Sequence, residues 1–301
     1  MQNKDTDIRE LMSLIWLNKI KILSFAFIIF IISFIYSHTL VDKYKSEAIL
    51  MISDQSDSSS QIPSSYSSFA NIAGISIPQS NSENKINLGL EVMLSREFLY
   101  RFIKNRNLAV PIMAAQELNE DNGKLIIDQS IYDTNKNIWV SNKYDTNGPS
   151  IHEVYEEFLT YLAIEKDKLT GFISISITSP SPVNSRDWVT FLVEDINSVT
   201  KNKDLNDSNK ALAYLNEQVS KTSLTELREV FYSIIESELR TKMLASISDE
   251  YLFSVIDKPI IAEEKESPNR IFISIVGFLM GLILSLTYVL ISAFIREEKI
   301  K

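Results

Sequence analysis

The chain has 301 residues, 45% of them hydrophobic, a net charge of −9, two histidines and no cysteine. That composition excludes disulfides and thiolate metal sites, and it leaves little material for a histidine metal centre or a histidine-based triad. The length would allow two average domains, but the apolar residues gather at the two ends, which is the pattern of a membrane protein.

The first residues form a patterned tail, 1–21. Ile8, Leu11, Met12, Ile15 and Trp16 recur at helical spacing, and Asp7 with Glu10 fits a capping box. A short helix at the cytoplasmic interface is expected, with Trp16 at headgroup level. Residues 22–41 read ILSFAFIIFIISFIYSHTLV, without Asp, Glu, Lys or Arg. About 20 such residues rise roughly 30 Å as a helix, the thickness of a hydrocarbon core. The run is too long for a secretory signal, and no small-residue cleavage pattern follows it. His38, near its outer end, can reach the interface and needs no ligand role. Lys4, Arg9, Lys19 and Lys21 precede the run and only Lys43 and Lys45 closely follow it, so the N-terminus is expected in the cytoplasm.

Residues 42–269 hold 22 Lys and Arg against 34 Asp and Glu, a charge of −12, which argues against nucleic acid as a partner. YKSEAILMI, 44–52, reads as a strand, and 53–82 is a Ser-, Gln- and Asn-rich loop that cannot bury enough apolar surface to order itself. A buried-face helix is expected over 87–107, stopping before Pro111. Short β-like runs follow at 125–127, 131–132 and 138–140, then a helix at 151–162 with Val154, Tyr155 and Phe158 on one face. GFISISIT, 171–178, alternates in strand fashion. Ser-Pro-Ser-Pro at 179–182 opens a helix that continues through 183–219 without Gly or Pro, roughly 55 Å long. After a bend at 221–223, a second helix over 224–247 returns along it, with Val230, Phe231, Ile234, Leu239 and Leu244 among its inward residues. The result is a helical hairpin, about 183–247, that projects beyond a small base. Residues 250–261 read as a strand lying beside the strand that leaves the first apolar run.

Residues 271–295 form a second span of about 25 residues, long enough to cross with some tilt. It carries Gly277 and Gly281, a GxxxG pair that lets two helix backbones approach closely. A six-residue tail, 296–301, follows. No catalytic set emerges: Glu156 with Glu157 and Glu194 with Asp195 are adjacent on helices, point apart, and are read as solvated faces. No cofactor or metal is expected.

These features together resemble the Wzz-type polysaccharide chain-length determinants, or polysaccharide co-polymerases, of bacterial inner membranes. The resemblance is carried by IRELMSLIW, KYKSEAIL, SREFL at Ser95 to Leu99, ISITSPSP, ALAYLNEQV at Ala211 to Val219, and the long stretch IIESELRTKMLASISDEYLFSVIDKPIIAEEKESPNR. Pro259 and Pro268, followed by Gly277 and Gly281, look like the family's proline- and glycine-rich second transmembrane motif. Glu263 to Glu266 stand where further prolines often fall, which implies a less rigid approach to the membrane.

The resemblance implies an α+β fold: two transmembrane helices (22–41 and 271–295) flank a periplasmic domain, 42–270, with a membrane-proximal mixed α/β base and the projecting hairpin. It implies a non-enzymatic homo-oligomeric ring, of about eight protomers in such closed assemblies. Its partners would be a Wzy-type polymerase and a lipid-linked polysaccharide such as O-antigen, and both termini would be cytoplasmic. The GxxxG face could meet the first span, a sister protomer or the polymerase. A second reading is a transmembrane adaptor for a separate cytoplasmic tyrosine kinase, and a periplasmic sensor ranks third. Kinase activity in the chain itself is not expected: Gly123-Lys124 is followed by Leu125, and Leu118 stands where a P-loop has its first glycine.

Overall fold

The computed structural model describes residues 15–53, 82–118, 125–140, 144 and 148–298. In chain order the first elements are α1 (Lys19–Thr39), β1 (Tyr44–Ile52), α2 (Ser82–Leu94), α3 (Arg96–Asn105), α4 (Ala109–Met113), β2 (Ala115–Leu118) and β3 (Leu125–Ile127). There follow β4 (Tyr132–Asp133), β5 (Ile138–Trp139), α5 (Ile151–Tyr161), β6 (Leu162–Lys166) and β7 (Ile173–Ser179). The last are α6 (Pro182–Lys221), α7 (Thr225–Ile247), β8 (Phe253–Asp257) and α8 (Arg270–Glu298). The chain divides into two compact units, Tyr44–Glu263 and the pair Met1–Lys43 with Glu264–Lys301. Most of the amphipathic tail, including Asp7 and Glu10, lies outside the described residues, as does 54–81 of the serine-rich segment.

The larger unit is built on an antiparallel sheet in the order β6-β7-β1-β8. Isoleucine alternation in β7 sets its register: Ile173, Ile175 and Ile177 lie opposite Leu50, Ala48 and Ser46 of β1, all of them buried. β8 pairs with the other edge of β1, as the sequence implied. The buried side chains of the sheet share one core with Phe98 and Phe102 of α3, Phe158 of α5, and Trp188, Leu192 and Ile196 of α6. Phe158 bridges the helices, with ring centroids 5.6 Å from Phe102 and 6.1 Å from Trp188. Each such fully buried side chain contributes about 1.5–3 kcal/mol.

Three local departures from the sequence reading have local causes. The helix expected over 87–107 is two helices, because the Ser95 hydroxyl accepts from the Phe98 amide at 3.3 Å and caps α3 afresh. Pro111 lies inside the short helix α4, at a first-turn position where the missing N–H has no intrahelical partner to lose. Leu162, taken as the end of a helix, begins the edge strand β6, which pairs with β7 from Leu162↔Ile177 to Lys166↔Ile173.

Helix α6 starts at a Ser181 cap whose hydroxyl accepts from the Asn184 amide, with Pro182 as its first residue. Ser185 donates to the Tyr44 carbonyl at 2.7 Å and so joins the helix to the start of β1. At 40 residues α6 runs about 60 Å. Its first turns belong to the core, and its distal turns pack on α7, where Leu212 and Leu215 are buried along with Val230 and Phe231. The seam on α7 ends at buried Ala245. Leu239 does not point inward as expected: it is 51% exposed, because it lies roughly 100° round the helix from the seam.

In the second unit α1 and α8 pack side by side. Lys19–Thr39 and Arg270–Ser292 are long and apolar enough to cross a membrane. Only 17% and 22% of those stretches is buried, whereas a core helix of a water-soluble domain would be mostly covered.

Candidate functional site

The residues singled out in the second span stand where α8 meets α1. Gly277 and Gly281, one turn apart, share a face of α8. A methyl group at Gly281 would come 2.9 Å from the Ala26 Cα and 3.1 Å from the Ile29 Cβ, and one at Gly277 would overlap the Ser33 side chain. At Gly281 only hydrogen fits against the Ala26 backbone, and at Gly277 a Cβ would meet the Ser33 side chain, so the two helices approach closely along this face. The Ser33 hydroxyl donates to the Ile273 carbonyl at 3.0 Å, and Phe30 meets Phe278 edge to face at 6.4 Å. In hydrocarbon such an interhelical hydrogen bond contributes about 0.6–2 kcal/mol. Residues of the first span, Ala26, Ile29 and Ser33, thus lie against the glycine face within the chain.

The end of the helix pair is closed by a polar clasp. The Asp42 carboxylate accepts from Arg270 Nη2 at 2.9 Å and Lys265 Nζ at 3.2 Å. Beside it, the Lys43 amide donates to the Ser267 carbonyl at 2.8 Å and the Glu266 amide to the Lys43 carbonyl at 2.9 Å. Asn269 starts α8, its Oδ1 accepting from the Phe272 amide at 3.0 Å. Pro268 follows Ser267 through a cis bond in this segment. Pro259 belongs to the larger unit, just beyond β8, where Ser46 donates to the neighbouring Ile260 carbonyl at 2.7 Å. The two prolines therefore lie in different units.

The remaining singled-out groups have structural neighbours. His38 stacks edgewise on Phe34 at 4.8 Å, and His152 meets the Tyr100 hydroxyl at 3.2 Å. Among the described residues no group of three or more His, Asp and Glu could hold a metal ion. Glu194 and Asp195 are not simply solvated: Arg106 pairs with Asp195 at 2.7 Å and Glu194 at 3.7 Å, and lies over the Phe191 ring at 4.2 Å. That arginine, 89 residues away in sequence, was invisible to a reading based on helix periodicity. Glu47 is held below the usual carboxylate range by its bonds to Lys45 and to the Ser174 hydroxyl. The Tyr251 hydroxyl donates to Asp204 at 2.7 Å, and burial together with that carboxylate pushes it above the usual phenol range. Asn197, Asp42 and Ser33 were missed; the one available signal was a polar residue interrupting an apolar stripe.

Residues 4–106 match the family model described as Wzz, chain length determinant protein. Among solved structures the chain is similar to a full-length bacterial polysaccharide co-polymerase, at 14% identity and a TM-score of 0.39, covering 96% of this chain and 98% of that one. It is similar to a fragment of WzzB, a polysaccharide co-polymerase from Salmonella Typhimurium, at 11% identity and a TM-score of 0.27, covering 75% of this chain and all of that one. A mutant of the Shigella flexneri lipopolysaccharide O-antigen chain-length regulator gives 12% identity and a TM-score of 0.22, covering 75% and 100%. No curated protein matches. The stretch that matches the family model, about a third of the chain, takes in the first span, β1 and the helices α2 and α3.

Proposed function

We propose that this chain sets the modal number of repeat units that a Wzy-type polymerase adds to a lipid-linked O-antigen or related surface polysaccharide. It does so as a non-enzymatic scaffold whose copies assemble side by side in the inner membrane. The observation that carries this reading is the family match over residues 4–106. The two apolar helices, one before and one after residues 44–263, support it. The distal half of the hairpin has little core of its own, and lateral association of copies would cover more of it. With Lys4, Arg9, Lys19 and Lys21 before the first span, both tails are cytoplasmic and residues 42–270 are periplasmic. The pair Gly277 and Gly281 serves this function by holding the spans together, and Pro259 and Pro268 by stiffening the approach to the second span.

Deletion of the gene followed by gel analysis of surface polysaccharide tests the reading: the modal cluster of the ladder is expected to disappear. A ladder that keeps its mode overturns it. Co-purification from the native membrane is expected to bring down a polymerase, and capture of a cytoplasmic kinase instead would make the chain a kinase adaptor. Replacement of both Gly277→Leu and Gly281→Leu is expected to shift or blur the mode at normal protein level.

A further inference from the structure

Asn197 is 3% exposed in the middle of α6, with apolar Leu192, Val193 and Ile196 as near neighbours. An unbonded amide buried there would be strongly unfavourable compared with a leucine of similar size. It is not unbonded. Its Oδ1 accepts from the amides of both Leu252 and Phe253 at 2.8 Å, and its Nδ2 donates to the Phe253 carbonyl at 2.9 Å. One side chain thus holds the backbone of two consecutive residues at the point where the chain coming down from the hairpin enters β8. Further along the same face of α6, Lys201 donates to the Ser248 carbonyl at 2.9 Å, and Asp204 accepts from the Tyr251 hydroxyl. Asn197, Lys201 and Asp204 stand at i, i+4 and i+7, so a single polar stripe grips residues 248–253. Below it α6 packs in the sheet core through Trp188, Leu192 and Ile196; above it Leu212 and Leu215 pack on α7.

An apolar seam through this joint would be non-directional and would tolerate sliding and tilting of one element on another. Three hydrogen bonds to one dipeptide do not, because their donors and acceptors lie in fixed directions. We propose that Asn197 is a positioning residue that fixes the angle at which the helical hairpin stands on the sheet, with the Tyr251–Asp204 bond as its secondary brace. Resting on the proposed function, the consequence is that neighbouring copies present their hairpins at a defined spacing.

The chain has no cysteine, so pairs of spin labels can be placed cleanly in the full-length protein in nanodiscs: one at Lys168, in the exposed β6–β7 turn, and one at Ser223, in the bend of the hairpin. Asn197→Leu is expected to widen the distance distribution at least about twofold while far-ultraviolet circular dichroism stays that of the parent. Amide exchange at Leu252 and Phe253 is expected to quicken at least about tenfold, the loss of roughly one buried hydrogen bond. Tyr251→Phe is expected to give a smaller widening. Should Asn197→Leu fail to fold, Asn197→Asp serves. Its carboxylate keeps the acceptor but loses the donor, so the distribution is expected to be wide at pH 8. At pH 4 a protonated carboxyl can again donate to the Phe253 carbonyl, and narrowing is expected, with the parent protein measured at both pH values as control.

Unchanged widths and unchanged exchange in these variants overturn the positioning role. The same variants are expected to blur the glycan ladder at normal protein level. A widened distribution with an unaltered ladder keeps the positioning role and overturns its link to chain length, so the two failures are distinguishable.

Discussion

Tyr161 illustrates what burial does to a single ionisable group. Its hydroxyl donates to the Ile112 carbonyl at 3.3 Å, and burial, aided by the negative charge of Glu157, pushes its pKa up to about 12. A folded-state value above the unfolded one means that the neutral phenol favours the folded state below pH 10. The advantage is lost as pH rises from about 10 to about 12, at most on the order of 2–3 kcal/mol. Urea titrations of the purified protein at pH 9 and pH 11 are expected to show this loss, and Tyr161→Phe is expected to reduce it, the remainder coming from Tyr251, whose phenol is also raised. Arg106 offers a second test. Arg106→Met leaves Asp195 half-buried without its partner and is expected to cost about 1–3 kcal/mol in urea unfolding, with much of that recovered in the double variant with Asp195→Asn. The acidic pair was legible in the sequence, but its partner was not, because helix periodicity carries no information about contacts 89 residues apart.

At the scale of elements, the long helices were the legible part. From Val183 to Lys221 the chain lacks Gly and Pro and keeps an apolar period at both ends, so the helix's extent and the bend after it could be read directly. The edge strand β6 could not, since LAIEK follows a helical face without a break and becomes a strand only because β7 lies alongside. The distal hairpin is held by one thin seam. Phe231→Ala is therefore expected to cost about 3 kcal/mol locally. Hydrogen exchange should show lost protection across the distal turns of α6 and α7, with the strands β1 and β7 keeping theirs. Loss of protection in the sheet as well would mean that hairpin and base unfold as one unit.

For the molecule as a whole, the orientation argued from Lys and Arg placement is open to direct measurement in a chain without native cysteines. A cysteine placed at Lys168 is expected to react with a membrane-impermeant maleimide in cells whose outer membrane has been permeabilised. One placed at Lys4 is expected to react only after lysis. The reverse pattern would place the acidic domain in the cytoplasm and remove the basis for any role in periplasmic polymerisation.

Sequence alone determined the two apolar spans, the strand that follows the first and the strand that precedes the second, and the helical hairpin. Each of these is written in contiguous composition or in a period of 2 or 3.6 residues, and such patterns survive without knowledge of the fold. Tertiary structure decided which surface meets Gly277 and Gly281. A GxxxG pair states that something approaches closely, and only the packed helices show that Ala26, Ile29 and Ser33 are what approaches. It also decided the role of Asn197, which in the sequence is one polar residue in a helix. Its three hydrogen bonds reach residues more than fifty positions away, and the chain brings them together only by folding back through the hairpin.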